Sequence, residues 1–280
     1  MKLHRLAAFA AVTLTSISAA HAVEVELSIT NLTQGNYFTP RLVVAHTDAA
    51  DLYEVGEEAS VPLAWLAEAG VIDDSDSADS IGQNFESVLG PADTDNDSNT
   101  WHKFGGLVAP ATTLTYTFDT MDKPLLSLAT MLIPTNDAFA GLDSIEIPTV
   151  PGTYHYYLNA YDAGTELNDE LNSLRTDITE EGGAALGGYG VPGVAGAGAP
   201  PVMPSMSDGG TGVAVTVGWD AEGNALASPN EVIDGTDGPI HIHRNTLGDT
   251  SATDGASDLN STIHRWLNPV AKVTIVVPAS

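Results

Sequence analysis

The chain has 280 residues, no cysteine and a formal net charge of −28 at pH 7. This excess of acidic residues excludes nucleic acid and anionic lipid surfaces as partners, because both would repel the protein. A chain of this length can bury a full hydrophobic core without disulfide bonds.

Residues 1–22 have the composition of a secretory signal peptide. A basic start and a short apolar run at residues 6–17 precede Ala20 and Ala22, which fit a small-x-small cleavage site. We therefore expect a mature chain that begins at Val23 and is secreted or periplasmic. Because exported animal domains usually carry disulfide bonds, the lack of cysteine favours a bacterial source. No later run is apolar over about 18 residues, so we expect no transmembrane segment in the mature chain.

Short runs rich in Val, Ile, Thr and Tyr, separated by Gly, Pro, Asn and Asp, are typical of β-strands. In the first run, polar and apolar residues alternate, which predicts one solvent-facing and one buried face. The run at residues 125–133 is apolar on both faces and predicts a central strand. The number and spacing of these runs predict an all-β fold, an antiparallel β-sandwich. The predicted strands are residues 23–31, 42–46, 113–118, 125–133, 142–147, 152–160, 213–219, 239–243 and 271–276.

Helical periodicity is scarce along the chain. Residues 63–69 predict a short helix that starts near Ser60 and ends at Gly70. Residues 169–178 predict a second short helix. Helices are therefore expected to be minor additions to the sandwich.

Two segments are interpreted as loop insertions. Residues 73–99 are acidic and rich in serine, and residues 182–212 are dominated by Gly, Ala and Pro. The second composition is incompatible with a central strand or a stable helix. The segment after residue 212 is short and poor in strands, so we expect residues 23–280 to form one domain.

Acidic residues follow several of the predicted strands. Pro134 removes a ladder donor and ends an apolar run, and Asp137 follows three residues later. Asp162 closes a later strand, and Asp119 closes an earlier one. Three carboxylates and the main-chain carbonyl of Ile133 at one rim of a sandwich would suit Ca²⁺, which takes six to eight oxygen ligands. Alternatively, each Asp caps its own turn through its side chain, and the residues alone leave both possibilities open.

Four separated segments carry a family resemblance. They are residues 25–33 (VELSITNLT), 131–144 (MLIPTNDAFAGLDS), 161–166 (YDAGTE) and 268–275 (NPVAKVTI). In this order they resemble the spondin domain, the N-terminal module of F-spondin and mindin, and in particular its bacterial branch. Together they span nearly the whole mature chain.

The resemblance implies a C2-like β-sandwich with one bound calcium ion. The family's ligands fall here on Asp119, the carbonyl of Ile133, Asp137 and Asp162. The chain has Ala138 where animal members have tryptophan, and it lacks their cysteines, which argues against the integrin and matrix binding of those members. The resemblance therefore implies a secreted module with a binding, adhesion or structural role and no enzymatic activity. Its expected partner is an unidentified protein or glycan at the cell envelope or outside the cell.

A different function is suggested by His241 and His243. On a strand, these two side chains would point to the same face, and two neutral imidazoles can begin a zinc or copper site. The alternative hypothesis is therefore a secreted enzyme or transition-metal carrier that uses this pair. The simpler interpretation is a polar face on an exposed strand. The sequence contains no Gly-x-Ser-x-Gly, His-Glu-x-x-His or phosphate-loop motif that would indicate catalysis.

Overall fold

The computed structural model describes residues 24–70, 72, 85, 99–165, 168, 170, 238–250, 257 and 259–279. Several sequence predictions lie wholly or mostly outside these residues. They are the signal peptide at 1–22, the acidic segment 73–99, the helix at 169–178, the insertion at 182–212 and the strand at 213–219.

The described residues form an all-β structure with one short helix, as the sequence predicts. All of the strand pairings within the sheets are antiparallel. The elements are β1 (Glu24–Asn31), β2 (Tyr37–Phe38), β3 (Arg41–His46), α1 (Val61–Ala69), β4 (Asn99–Phe104), β5 (Thr113–Asp119), β6 (Leu125–Ile133), β7 (Ala138–Glu146), β8 (Gly152–Asp162), β9 (His241–Ile242) and β10 (Ala271–Val277).

The strands follow the order β4-β3-β6-β7-β8-β10-β1-β5, with β2 on β6 and β9 on β8. One half of the sandwich contains β4, β3, β6 and β7, and the other half contains β10, β1 and β5. β8 belongs to both halves. Its residues 152–158 pair with β10, and its residues 159–162 pair with β7. The first part of this long strand therefore lies in one half of the sandwich, and its last part lies in the other half.

One hydrophobic core lies between the two halves. In β1 the buried residues alternate with polar ones, as predicted, and Val25, Leu27 and Ile29 enter this core. β6 is buried along almost its whole length and lies between β3 and β7, which confirms the prediction of a central strand. Its residues Leu128 and Leu132 meet the β1 residues in the same cluster. This arrangement is sandwich-like.

The predicted helix is confirmed as α1. The hydroxyl of Ser60 accepts a hydrogen bond from the Leu63 amide at 3.3 Å, as an N-cap does. Gly70 follows the helix with φ +66°, as in a left-handed C-terminal cap. Leu63 and Leu66 are fully buried in a second core cluster that includes Phe139 of β7. In the described ranges, no helix is long and apolar enough to cross a membrane.

The prediction of a strand at 142–147 was wrong at its start. β7 begins at Ala138 and ends at Glu146. Small residues at its start allow close packing, and a Cβ on Gly141 would lie 2.4 Å from the hydroxyl oxygen of Tyr53. Alanine and glycine are poor strand formers, so the local composition gives little sign of a strand at these residues. The short β2 and the whole of β4 were not predicted either.

Candidate metal site at the end of β6, β7 and β8

Three of the four predicted ligand residues lie at one end of the sandwich. β6 ends at Ile133, β7 begins one residue after Asp137, and β8 ends at Asp162. Ala138 is the register partner of Asp162, so Asp137 immediately precedes the residue that pairs with Asp162. The strand pairing thus brings together two acidic turns that are 25 positions apart in the sequence.

Both carboxylates are buried and are held by the same turn. Asp137 is 0% exposed and Asp162 is 1% exposed. The amide of Gly164 donates to Oδ1 of Asp162 at 2.7 Å, and the next amide, of Thr165, donates to Oδ2 of Asp137 at 2.8 Å. Because consecutive backbone nitrogens are at most about 4 Å apart, these two carboxylate oxygens lie within about 10 Å of each other.

Further contacts fix Asp137. The hydroxyl of Thr165 lies 3.2 Å from Oδ2 of Asp137, and the amide of Ala163 donates to the main-chain oxygen of Asp137 at 3.2 Å. On the β6 side, the Thr135 hydroxyl donates to the carbonyl of Leu132, and the amide of Ala138 donates to the same hydroxyl at 3.2 Å. The turn that carries Asp137 is therefore ordered by its own polar groups.

Glycine is required at position 164. Its φ is +73°, and a Cβ there would lie 1.7 Å from the carbonyl oxygen of Gly238. The turn that anchors both carboxylates therefore packs directly against the segment that leads into β9. Only a residue without a side chain can bring its amide to Asp162 in this position.

Asp119, which the resemblance implies as a ligand of the same ion, lies away from Asp137 and Asp162 in this structure. Asp119 is the register partner of Glu24, and the rungs through β1 and β10 place it at the same end of the sheet as Gly152, where β8 starts. Asp162 is ten positions further along β8. At about 3.3 Å per residue, this separation is about 33 Å. Oδ1 of Asp119 accepts a hydrogen bond from the amide of Met121 at 3.0 Å, so this residue caps its own turn.

A signal in the sequence could have excluded Asp119. Only residues 120–124 separate the end of β5 from the start of β6. A link of this length places Asp119 beside Leu125, at the start of β6. Ile133 lies at the other end of the same strand, about 26 Å away at the usual rise per residue.

His241 and His243 both lie near the carboxylate of Asp162, but they differ in solvent exposure and in hydrogen bonding. Their Nε2 atoms lie 3.8 Å and 4.0 Å from Oδ2 of Asp162. His241 is exposed, and its Nδ1 donates to the carbonyl of Pro239 at 2.9 Å. His243 is buried, and both of its ring nitrogens take part in hydrogen bonds within the protein.

His243 therefore has a hydrogen-bonding role in this structure. To bind a metal through Nε2, it would have to give up its bond to the side chain of Asn168. Within the described residues, no group of three or more His, Asp or Glu side chains is arranged to hold a metal ion. A cation at this end would need main-chain and hydroxyl oxygens in addition to the carboxylates of Asp137 and Asp162.

Asn168 was missed by the sequence analysis. Its side-chain amide donates to Oδ2 of Asp162, and its carbonyl oxygen lies 2.9 Å from Nε2 of His243. The residue follows the motif YDAGTE by two positions and lies outside any periodic pattern, so no local signal marks it.

A comparison with protein-family models and one with curated proteins find no match.

Proposed function

We propose that this protein is an exported calcium-binding module of the spondin type. The observation that carries the proposal is the pair Asp137 and Asp162, two buried carboxylates held by the consecutive amides of Gly164 and Thr165. The resemblance of the two acidic motifs to those of the spondin domain supports the same assignment.

The physical argument concerns the cost of burying negative charge. A carboxylate transferred from water into a protein interior is strongly destabilised unless it is paired or coordinates a metal ion. Two of them close together also repel each other. Ca²⁺ relieves both costs, because it is a hard divalent cation that takes several oxygens at about 2.4 Å. The carbonyl of Ile133 and the hydroxyl of Thr165 are the oxygens that we propose as further ligands.

The proposed role is binding, adhesion or structural support rather than catalysis. Calcium would link the turn after β6 to the turn after β8 and so stiffen this end of the sandwich. The partner that we propose is a protein or a glycan at the cell envelope or outside the cell, in keeping with the signal-like residues 1–22.

The test is a calcium titration of thermal stability at constant ionic strength, with magnesium as the comparison ion. If calcium binds only the folded state, a hundredfold excess over Kd should add about 2.7 kcal/mol to the unfolding free energy. Asp137→Ala should remove most of this gain. Asp119→Ala is the matched control, because it removes the same charge from an exposed position at the opposite end.

A wild-type melting temperature that does not change across the titration would overturn the proposal. If Asp137→Ala and Asp119→Ala reduced the calcium-dependent gain in stability equally, the gain would be a general effect of charge and not the result of binding at a site. The alternative of a transition-metal carrier predicts stoichiometric zinc or copper in the purified protein, and His241→Ala/His243→Ala should abolish it.

A further inference from the structure

We propose that His243 is a positioning residue for Asp162 and acts through Asn168. This inference rests on the proposed calcium site. It assigns to His243 the role of holding a ligand's carboxylate, in place of the role of metal ligand that the sequence suggests.

The hydrogen bonds around His243 define its tautomer. Nδ1 of His243 accepts a hydrogen bond from the amide of Asn245 at 3.2 Å, since a backbone amide can only donate. In the neutral ring the proton is therefore on Nε2, which donates to the side-chain oxygen of Asn168 at 2.9 Å. The backbone of Asn245 thus determines which imidazole nitrogen is the donor.

The same bonds define the orientation of Asn168. With its oxygen turned towards His243, its NH₂ group is turned towards Asp162 and donates to Oδ2. The donors therefore run in one direction, from the Asn245 amide through His243 and Asn168 to the Asp162 carboxylate. Without the imidazole donor, the Asn168 amide could rotate and present its oxygen to Asp162, which would repel the carboxylate.

His243 itself is held rigidly. Its side chain is 5% exposed, and its ring centroid lies 5.1 Å from that of Trp266. Its amide donates to the carbonyl of Ala160 at 2.9 Å, and its own carbonyl accepts from the side chain of Asn268 at 3.1 Å. A donor fixed in this way can hold the side chain of Asn168 in one orientation, and a carboxylate that is already held loses less entropy when a cation binds.

Two substitutions separate the donor role from simple packing. Glutamine places its amide nitrogen near the position of the histidine Nε2, whereas asparagine reaches only to the position of Nδ1. His243→Gln keeps a donor for Asn168, and His243→Asn loses it, while both lose the ring contact with Trp266. Hydrogen-bond partners of metal ligands typically contribute about 10- to 100-fold in affinity.

The experiment is isothermal titration of the folded variants with calcium chloride. We expect wild-type-like affinity for His243→Gln and an affinity about 10- to 100-fold weaker for His243→Asn. Asn168→Ala, at an exposed position, should weaken binding by a similar factor. Adding His243→Asn to it should cause no further loss, because both act through the same contact.

Equal losses of calcium affinity in the two His243 variants would overturn the inference while leaving the calcium site intact. Additive losses of affinity in the double variant would do the same. No calcium binding by the wild-type protein would overturn the proposed function itself. Nitrogen-15 NMR of the calcium-free protein gives an independent readout. We expect the proton of His243 on Nε2, and a proton on Nδ1 would contradict the proposed chain of donors.

Discussion

The ring of Phe104 stacks on the ring of Tyr116, with centroids 4.1 Å apart and an angle of 29° between the planes. Phe104 is on β4 and Tyr116 is on β5, which are the first and last strands of the strand order. Arg41 is fully buried beside them and donates to the carbonyls of Gly105 at 2.8 Å and Gly106 at 2.6 Å and to the Tyr116 hydroxyl. Side chains therefore join the two ends of the sheet.

The stacked pair predicts a stability effect. Phe104→Ala should lower the free energy of unfolding by about 2 kcal/mol, less than a fully buried phenylalanine because Phe104 is partly exposed. The measurement is urea unfolding at pH 7. Tyr157→Ala, at a position that is 62% exposed, is the control and should change stability by less than about 0.5 kcal/mol. Similar losses in both variants would show that the stack does not hold the sheet ends together.

Gly164 predicts a backbone effect that a matched glycine can calibrate. Gly164 and Gly106 both have a positive φ, +73° and +81°. A Cβ on Gly106 has nothing within 4 Å, whereas one on Gly164 would meet the carbonyl oxygen of Gly238. Gly106→Ala should therefore cost only about 1 kcal/mol, for the left-handed conformation. Gly164→Ala should cost more than about 2 kcal/mol, because the turn must move.

Chemical denaturation of the two glycine variants checks this difference. The rise in melting temperature that the proposed calcium site predicts gives a second readout, because displacement of the Gly164 and Thr165 amides releases both carboxylates. We expect this rise to shrink in Gly164→Ala and to persist in Gly106→Ala. Equal unfolding free energies would contradict the close packing of the turn against Gly238.

His264 predicts a dependence of stability on pH. The side chain is fully buried, and burial lowers its pKa from 6.5 to about 4. Because the pKa is lower in the folded state, the neutral ring's contribution is complete above pH 6.5 and is lost as the pH falls towards 4. The total loss is about 3 kcal/mol, since one pKa unit corresponds to about 1.4 kcal/mol.

The His264→Asn variant isolates this contribution. Asparagine can still accept the hydrogen bond that the Asn260 amide donates to Nδ1 of His264 at 2.9 Å. The many carboxyl groups of the chain also titrate near pH 4, so the comparison is the difference between wild type and variant. We expect the wild-type protein to lose more stability than the variant when urea unfolding is repeated between pH 7 and pH 4.5. If the wild-type protein and the His264→Asn variant lost the same amount of unfolding free energy, His264 would not be neutral in the folded state.

Features encoded within a few neighbouring residues could be predicted from the sequence. The alternation in β1, the apolar run of β6 and the cap of α1 at Ser60 depend on local periodicity and local hydrogen bonds. β4 could not be predicted in this way, because its polar residues Asn99, His102 and Lys103 form a strand only through pairing with β3. Tertiary pairing overrides weak local preference.

The candidate site shows the same division. The sequence determined that Asp119 and Asp162 close strands and that Asp137 lies in the turn after one. It also determined that Pro134 ends the strand at Ile133 and that the fold is all-β. It did not decide at which end of the sandwich each strand terminates, because antiparallel neighbours run in opposite directions. The short link between β5 and β6 already separates Asp119 from Ile133. Only the tertiary structure brought Asp137 and Asp162 to one turn and gave each ring nitrogen of His243 a hydrogen-bond partner. These relationships depend on the register between strands distant in sequence, which no local pattern encodes.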